Sequence, residues 1–409
     1  MSDQKKPSRN GSSSRASSSR GGWRRDSFLQ AGLIVGAALG AAVTVAGRRM
    51  ERSARRGLID WRAVERLAAD RVRNSQGTLT RAELAAAEPI YAASMREIVP
   101  ALGAALQCEL PGIVERSGVV SREEWVRTNV TAFAQLMGKV EGDLLKEILP
   151  PDAGFVKSAM AVANRAVATR QLGFMLSFIG QRVLGQYDLS LLSAEATPGR
   201  LVFVDENIRR AASSLGVPLN PFRTWIALHE TTHAFEFEAH PWLRPYLAGR
   251  LERQMKSLSG GVSALRPDAA VRLGRTLRGK NSGENWMEGL MTDQQRLEFR
   301  EMQAVMSLLE GFGDYMMDEV GRDLVPEVEL ISQRFHARRE QRGAIERAIM
   351  RLTGLDLKMA QYKQGEEFVA EIARARGPEA LQALWRGPES LPLPSEMSQP
   401  SLWLKRVLP

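Results

Sequence analysis

Cysteine is almost absent from this 409-residue chain, which contains a single one, Cys108. This scarcity excludes an internal disulfide framework and any metal site built from several thiolates. Histidine is nearly as rare, with four residues in all, so any pair of histidines at a defined spacing is informative. An excess of one charge is also missing from most of the chain. Residues 1–56 hold twelve of the 56 Lys and Arg residues and three of the 47 acidic ones, so the remainder is neutral, which argues against a nucleic-acid-binding core.

The excess positive charge belongs to an N-terminal leader with two parts. Residues 1–27 are rich in Ser, Arg and Gly and offer little apolar surface to bury, so we expect disorder there. Residues 28–47 form an uncharged Gly- and Ala-rich run, long enough as a helix to span a hydrocarbon core. This run predicts a membrane anchor or an export signal, and a Gly/Ala-rich surface helix or arm is the alternative. Neither the cellular location nor the oligomeric state follows from it.

Beyond the leader the hydrophobic periodicity is helical. Long helical stretches are predicted at 59–74, 81–107, 122–148, 153–184, 220–240, 293–320 and 327–376, with a Gly/Ser/Arg-rich connection over 257–285. Thr80, Ser121 and Thr292 each precede a Glu or Gln at the spacing of a capping box. One short apolar run, Leu201–Val204, has the composition of a β-strand. We predict a mainly α fold with a small β element (α+β), a catalytic domain over 57–395 and a C-terminal tail over 396–409.

The strongest signal for chemistry is the run His229-Glu230-Thr231-Thr232-His233 within the helix predicted at 220–240. Histidines four residues apart lie on one helical face, where both imidazoles can bind a single ion. The intervening glutamate can reach a water on that ion without ligating the metal. The pattern therefore predicts a catalytic zinc site with Glu230 as general base, although imidazole ligands also accommodate other divalent metals.

A catalytic zinc site needs a third protein ligand, and two residues compete for this position. His240 follows His229 by eleven residues, but it comes after the predicted helix end, and Glu236 stands where the metzincin pattern requires Gly. Glu310 is the better candidate because it lies in a later apolar helix, with Asp314 four residues on and on the same face. We predict Glu310 as third ligand and Asp314 as the carboxylate that orients a ligating histidine, an arrangement similar to that of gluzincins.

Several segments of residues 57–395 resemble a bacterial family of zincin-like hydrolases, some of whose members are labelled as associated with the biosynthesis of a deazaflavin cofactor. The segments are Gln186-Tyr187-Asp188, Leu192-Ser193, Pro198-Gly199-Arg200, Trp225–Leu247, Leu309–Gly321, and Tyr362 with Gly365-Glu366. The resemblance implies a zincin fold and peptidase chemistry, with His229 and His233 as zinc ligands and Glu230 as acid/base. Glu310 falls at the position of the third ligand, whereas Phe312 stands where the family often has His.

The predicted activity is hydrolysis of peptide bonds, with Leu201–Val204 as the edge strand that pairs with an extended substrate. Tyr315, Arg334, His336 and Tyr362 are candidates for stabilising the oxyanion. Two alternatives remain at this point: a catalytically silent zincin fold that serves as a membrane-associated scaffold, and a zinc amidohydrolase acting on a small amide. The retained Glu230 favours catalysis, because a scaffold has no need of a general base.

Overall fold

The computed structural model describes residues 50–148, 155–187, 199–262, 291–340 and 356–409. The predicted leader, residues 1–27 and 28–47, lies outside the described residues, as does most of the predicted connection at 257–285. Within the described ranges, no helix combines the length and the apolarity needed to cross a membrane. The fold that follows is therefore that of the predicted catalytic domain.

Helices dominate the described chain, and the predicted mainly α fold with a small β element is confirmed. In chain order the helices are α1 (Trp61–Arg73), α2 (Arg81–Leu106), α3 (Arg122–Ile148), α4 (Phe155–Gly180), α5 (Asp205–Leu215), α6 (Leu219–Glu238), α7 (Leu243–Val262), α8 (Asp293–Glu319), α9 (Gly321–Leu324), α10 (Val328–Glu340), α11 (Asp356–Arg376) and α12 (Pro400–Val407), with 3₁₀ helices at Pro378–Trp385 and Pro388–Ser390. Capping boxes form at Thr80 and Thr292. Ser121 and Glu124 exchange the same reciprocal bonds before α3. These caps satisfy free N–H groups, which explains why three long helices start where the sequence indicates.

The β element is a three-stranded sheet of β1 (Ser117–Val119), β2 (Gly185–Tyr187) and β3 (Leu201–Phe203), in the order β1-β3-β2. Strand β3 pairs in parallel with β1 and antiparallel with β2. The prediction that Leu201–Val204 is an edge strand was therefore wrong, because β3 is paired on both sides. Leu201 and Phe203 are fully buried, so the apolar run indicated a central strand. The edge strand next to the candidate site is β2.

Helix α6 runs through the main hydrophobic core and packs against α2 on one side and α8 on the other. Phe222, Trp225 and Phe235 of α6 are almost completely buried, and each such side chain contributes about 1.5–3 kcal/mol. The start of the helix is held by a buried ion pair in which Arg223 Nε and Nη2 donate to the Asp205 carboxylate at 2.8 and 2.7 Å. These contacts make α6 a rigid support for the side chains on its α8-facing side.

Helix α8 crosses α11 at a contact between two glycines. A Cβ atom on Gly311 would overlap the backbone of Gly365, and one on Gly365 would overlap the carbonyl oxygen of Ser307. Any larger residue at either position would separate the helices. The contact between the two backbones therefore fixes the position of α8 at Gly311, the residue that follows Glu310.

Residues 396–409, predicted as a tail, include α12 and pack on the same core. Trp403 is fully buried, stands edge-on to Phe368 with ring centroids 6.0 Å apart, and donates its indole N–H to the Ser390 carbonyl at 2.7 Å. The core that supports α8 and α11 therefore includes side chains beyond residue 395.

Candidate metal centre

Helix α6 presents His229 and His233 on its α8-facing side, one turn apart. The two Nε2 atoms lie 3.2 Å from each other. Thr231 and Thr232, between them in sequence, are fully buried and donate their hydroxyls to carbonyls one turn earlier in the helix. The threonines are therefore satisfied within α6, and the imidazoles are the groups of this motif that can act together with Glu230.

Glu310 of α8 approaches the two imidazoles. Its Oε2 lies 3.7 Å from His229 Nε2, and one ligand atom from each of the three residues lies within 4.8 Å of the others. A tetrahedral zinc ion with ligands at about 2.0–2.1 Å holds its ligand atoms about 3.3–3.4 Å apart. The separations of 3.2 and 3.7 Å bracket that value. Two imidazoles and a carboxylate are also a donor set of catalytic zinc sites, so these residues fit a zinc ion.

His240, the competing candidate for third ligand, lies outside this group of three. Its Nδ1 is 2.9 Å from the carbonyl oxygen of Glu236, and its ring stacks on Trp385 with centroids 5.1 Å apart. Burial lowers the pKa of the His240 imidazole. Of the two candidates, Glu310 is the one that the structure brings to the histidine pair.

Glu236 is a further residue of the centre, which the sequence reasoning considered only as a departure from the metzincin pattern. Its side chain is fully buried, and its Oε2 lies 2.8 Å from His233 Nδ1. When Nε2 of a histidine ligates a metal, Nδ1 carries the proton and donates it to such a partner. The signal was present in the sequence, since a carboxylate three residues after a ligating histidine shares its helical face.

The carboxylates around His233 control its protonation. Burial lowers the pKa of His233, but the negative charges of Glu236, Glu310 and Glu230 outweigh burial and raise that pKa to about 10. Burial raises the pKa of Glu236 to about 7, against the opposing effect of His233. Without a metal the cluster thus stabilises positive charge at the position where a divalent cation would bind.

His229 is oriented from α8 rather than from its own helix. Asp314 Oδ1 lies 3.7 Å from His229 Nδ1, which is ion-pair distance and longer than a hydrogen bond. Met317 Sδ lies 3.0 Å from the same nitrogen. The structure therefore brings Asp314 close to His229, one of the two predicted ligands, with a methionine sulfur at closer range.

Gly313 of α8 allows this close approach of the two helices. A Cβ atom at this position would lie 3.0 Å from both Cε1 and Nδ1 of His229 and 3.4 Å from Cε1 of His233. Carbon atoms in unstrained contact are about 3.5–4.0 Å apart. The absence of a side chain at Gly313 therefore leaves room for the imidazole pair.

Glu230, the predicted general base, lies against strand β2. A Cβ atom on Gly185 would lie 2.6 Å from Glu230 Cγ and 3.1 Å from its Oε1. Burial raises the pKa of Glu230, and the nearby charges of His229 and His233 lower it. The edge strand thus holds the carboxylate beside the histidine pair, a contact that no motif in the sequence indicated.

The predicted oxyanion donors occupy different surroundings. Arg334 donates to the last carbonyl of α5 at 3.0 Å, and Tyr315 faces a cavity on the opposite side of α8. His336 stands edge-on to Phe335. The side chain of Tyr362 lies outside the described residues. Arg334 and Tyr315 are thus directed away from the metal ligands.

Comparison with known proteins identifies relatives of this chain. The sequence profile of a family described as zincin-like metallopeptidases matches residues 59–404. A crystal structure from Chloroflexus aurantiacus, described as "a putative hydrolase with a novel fold", is 36% identical in sequence to this chain. The match includes 85% of this chain and 98% of the Chloroflexus chain, and the two superpose with a TM-score of 0.62. No curated protein matches the sequence significantly.

Proposed function

Because this chain belongs to the zincin-like metallopeptidase family, we propose that it is a zinc-dependent hydrolase that cleaves peptide bonds. The observation that carries the proposal is the convergence of His229, His233 and Glu310, with ligand atoms within 4.8 Å of one another, beside the carboxylate of Glu230. A metal is implied by the family, and the donor set favours zinc among the divalent ions.

The roles of the residues follow from their positions. His229, His233 and Glu310 would hold the ion, and Glu236 and Asp314 would orient the two imidazoles. Zinc bound there supplies a Lewis acid that lowers the pKa of water and polarises a carbonyl.

Glu230 accepts a proton from the attacking water and passes it to the leaving nitrogen. Burial raises its pKa, which makes the carboxylate a stronger base toward that proton. Gly185 of β2 packs against the Glu230 side chain and keeps the carboxylate beside the histidine pair.

Strand β2 supports an extended peptide as substrate. Among the described residues, β2 pairs with β3 along one edge, and no strand lies on the other edge. An extended peptide can add to such an edge through backbone hydrogen bonds, directly beside Glu230, which packs against Gly185. A small amide would make no use of this edge, so β2 favours a peptidase over an amidohydrolase.

The first test is the metal content of the purified full-length chain by elemental mass spectrometry, with His229→Ala as control. We expect about one zinc per chain, lost in the control. A folded protein that takes up no metal even after incubation with zinc would favour the scaffold alternative.

The second test is cleavage of a peptide library by the zinc-loaded chain. We expect Glu230→Gln to keep its zinc and lose cleavage, whereas Glu329→Gln, an exposed glutamate on α10, should keep both. Hydrolysis of small acyl amides without cleavage of any peptide would instead identify an amidohydrolase.

A further inference from the structure

A cavity of about 810 Å³ lies on the side of α8 that faces away from the metal ligands. On α8 and directly after it, the lining residues are Phe312, Tyr315, Met316, Glu319 and Val320. Glu310 and Asp314 instead face the metal centre. At about 100° per residue these two sets occupy opposite sides of the helix. The cavity therefore lies across α8 from Glu310 and Asp314 and borders the centre at Glu236, and its volume is typical of small-molecule sites.

The inner walls of this cavity are aromatic. Phe235 of α6, Phe312 and Tyr315 of α8 and Trp385 of the 3₁₀ helix line it. Phe312 and Trp385 pack edge to face, with centroids 5.1 Å apart. Such surfaces bind apolar groups and also attract cations over the ring faces.

The rim carries an excess of negative charge. Glu319, Asp323 and Glu379 are exposed acidic side chains that line the cavity, against one lining arginine, Arg386. Glu319 pairs with Arg322 at 3.1 Å. Asp323 and Glu379 remain as acids at the entrance that can attract a cation.

Three helices end at this cavity. It is lined by Leu106 at the end of α2, by Ala239 just after α6, and by Glu319 at the end of α8. The C-terminus of a helix carries a partial negative charge because its last carbonyls point outward. The helix ends thus add to the attraction for a cation that the acidic side chains create.

A polar group without a partner completes the site. Glu236 lines the cavity, its side chain is fully buried, and its Oε1 has no hydrogen-bond partner among the described residues. Its other oxygen contacts His233. A buried acceptor without a donor is costly, and an N–H group of a bound ligand would satisfy it once neighbouring side chains move to expose Oε1.

We propose that this cavity binds a small organic cation, an amine or guanidine carried on an apolar body. The aromatic walls take the apolar body, and the acidic side chains and helix ends take the charge. The binding does not depend on hydrolysis at the metal centre. The same chemistry is present in a free amine and in the basic side chain of a peptide.

The test is calorimetric titration of the zinc-loaded, full-length chain with three matched probes: phenylbutylamine, phenylbutanol and phenylbutyrate. We expect the amine to bind about tenfold more tightly than the alcohol, and the carboxylate more weakly than both. A capped dipeptide of leucine and lysine forms a further arm, and the tighter of the two cationic probes identifies the source of the ligand.

Two variants locate the binding. Ala105→Trp places a large side chain at an exposed position of the lining and should weaken amine binding at least tenfold without changing zinc content. Asp323→Asn combined with Glu379→Gln should remove the advantage of the amine over the alcohol. Glu329→Gln, outside the lining, should change neither.

Three results would overturn the proposal: no amine binding at millimolar concentration, equal or tighter binding of phenylbutyrate, or binding that His229→Ala abolishes and Ala105→Trp leaves intact. The last result would place the amine at the metal centre.

Discussion

Replacement of Gly313 by alanine tests whether the close contact between α6 and α8 sets the geometry of the metal centre. The new Cβ would lie 3.0 Å from two atoms of the His229 ring, about 0.5–1 Å closer than an unstrained contact. Metal–ligand distances tolerate shifts of only about 0.2 Å. The ring or the helix must therefore give way by a few tenths of an ångström, at or beyond the shift that the coordination tolerates.

We expect Gly313→Ala to weaken zinc binding about 10- to 100-fold, the range seen when groups that orient metal ligands are altered. This corresponds to about 1.4–2.7 kcal/mol of binding free energy. The measurement is competition for zinc against a chromogenic chelator, with circular dichroism and thermal melting of the metal-free protein to establish that the fold is retained.

The matched control is Gly138→Ala in α3, where a Cβ meets no other atom within 4 Å. This control should bind zinc normally and gain about 0.5–1 kcal/mol of helix stability, because alanine favours a helix more than glycine does. If Gly313→Ala binds zinc as tightly as the unmodified protein, the glycine does not control the centre and the reasoning fails.

Three further predictions concern the groups around the ligands. Gly185→Ala should slow the chemical step with zinc content unchanged, because the added Cβ would lie 2.6 Å from Glu230 Cγ. An unaltered rate constant in a single-turnover assay would show that β2 does not position the base. Glu236→Ala should weaken zinc binding about 10- to 100-fold. Glu236→Gln should weaken it less, because an amide oxygen can still accept a hydrogen bond from His233. If both variants bind zinc as tightly as the unmodified chain in the chelator competition, Glu236 does not belong to the centre. Zinc affinity should fall as pH falls. The carboxylate neighbours of His233 raise its pKa to about 10 against the effect of burial, so the metal must displace a proton from His233 at any pH below that value. Calorimetry at pH 7 in buffers of different ionisation enthalpy should detect at least one proton released per zinc, and zero release would contradict the assignment.

The parts of the structure that the sequence predicts are those that depend on local spacing. The capping boxes, the long helices and the shared face of His229 and His233 follow from helical periodicity alone. Glu310 is recognisable for a similar reason, since a carboxylate pair in an apolar stretch of helix needs a partner. These features involve residues within one or two turns of each other.

The features that escaped prediction depend on approach between distant segments. Gly185 and Gly313 matter because another helix or side chain comes within van der Waals distance of them, and no local pattern distinguishes them from the other glycines of the chain. The order of strands in the sheet was also not predicted, because an apolar run of four residues does not reveal whether one or both of its edges are paired. Glu236 is different, since its spacing from His233 is local and would have indicated its role.

The location of Glu236 on the same helix as both histidines has a consequence for assembly of the centre. Helix α6 alone carries two ligands and the carboxylate that orients one of them, His233, so it forms a chelating half-site to which α8 adds the groups that orient His229. Glu310, Asp314 and Gly313 all arrive with α8. Capture of the ion by α6 can therefore precede the docking of α8, and the ion then acts as a bond between the two helices, so that metal loading and closure of the core reinforce each other.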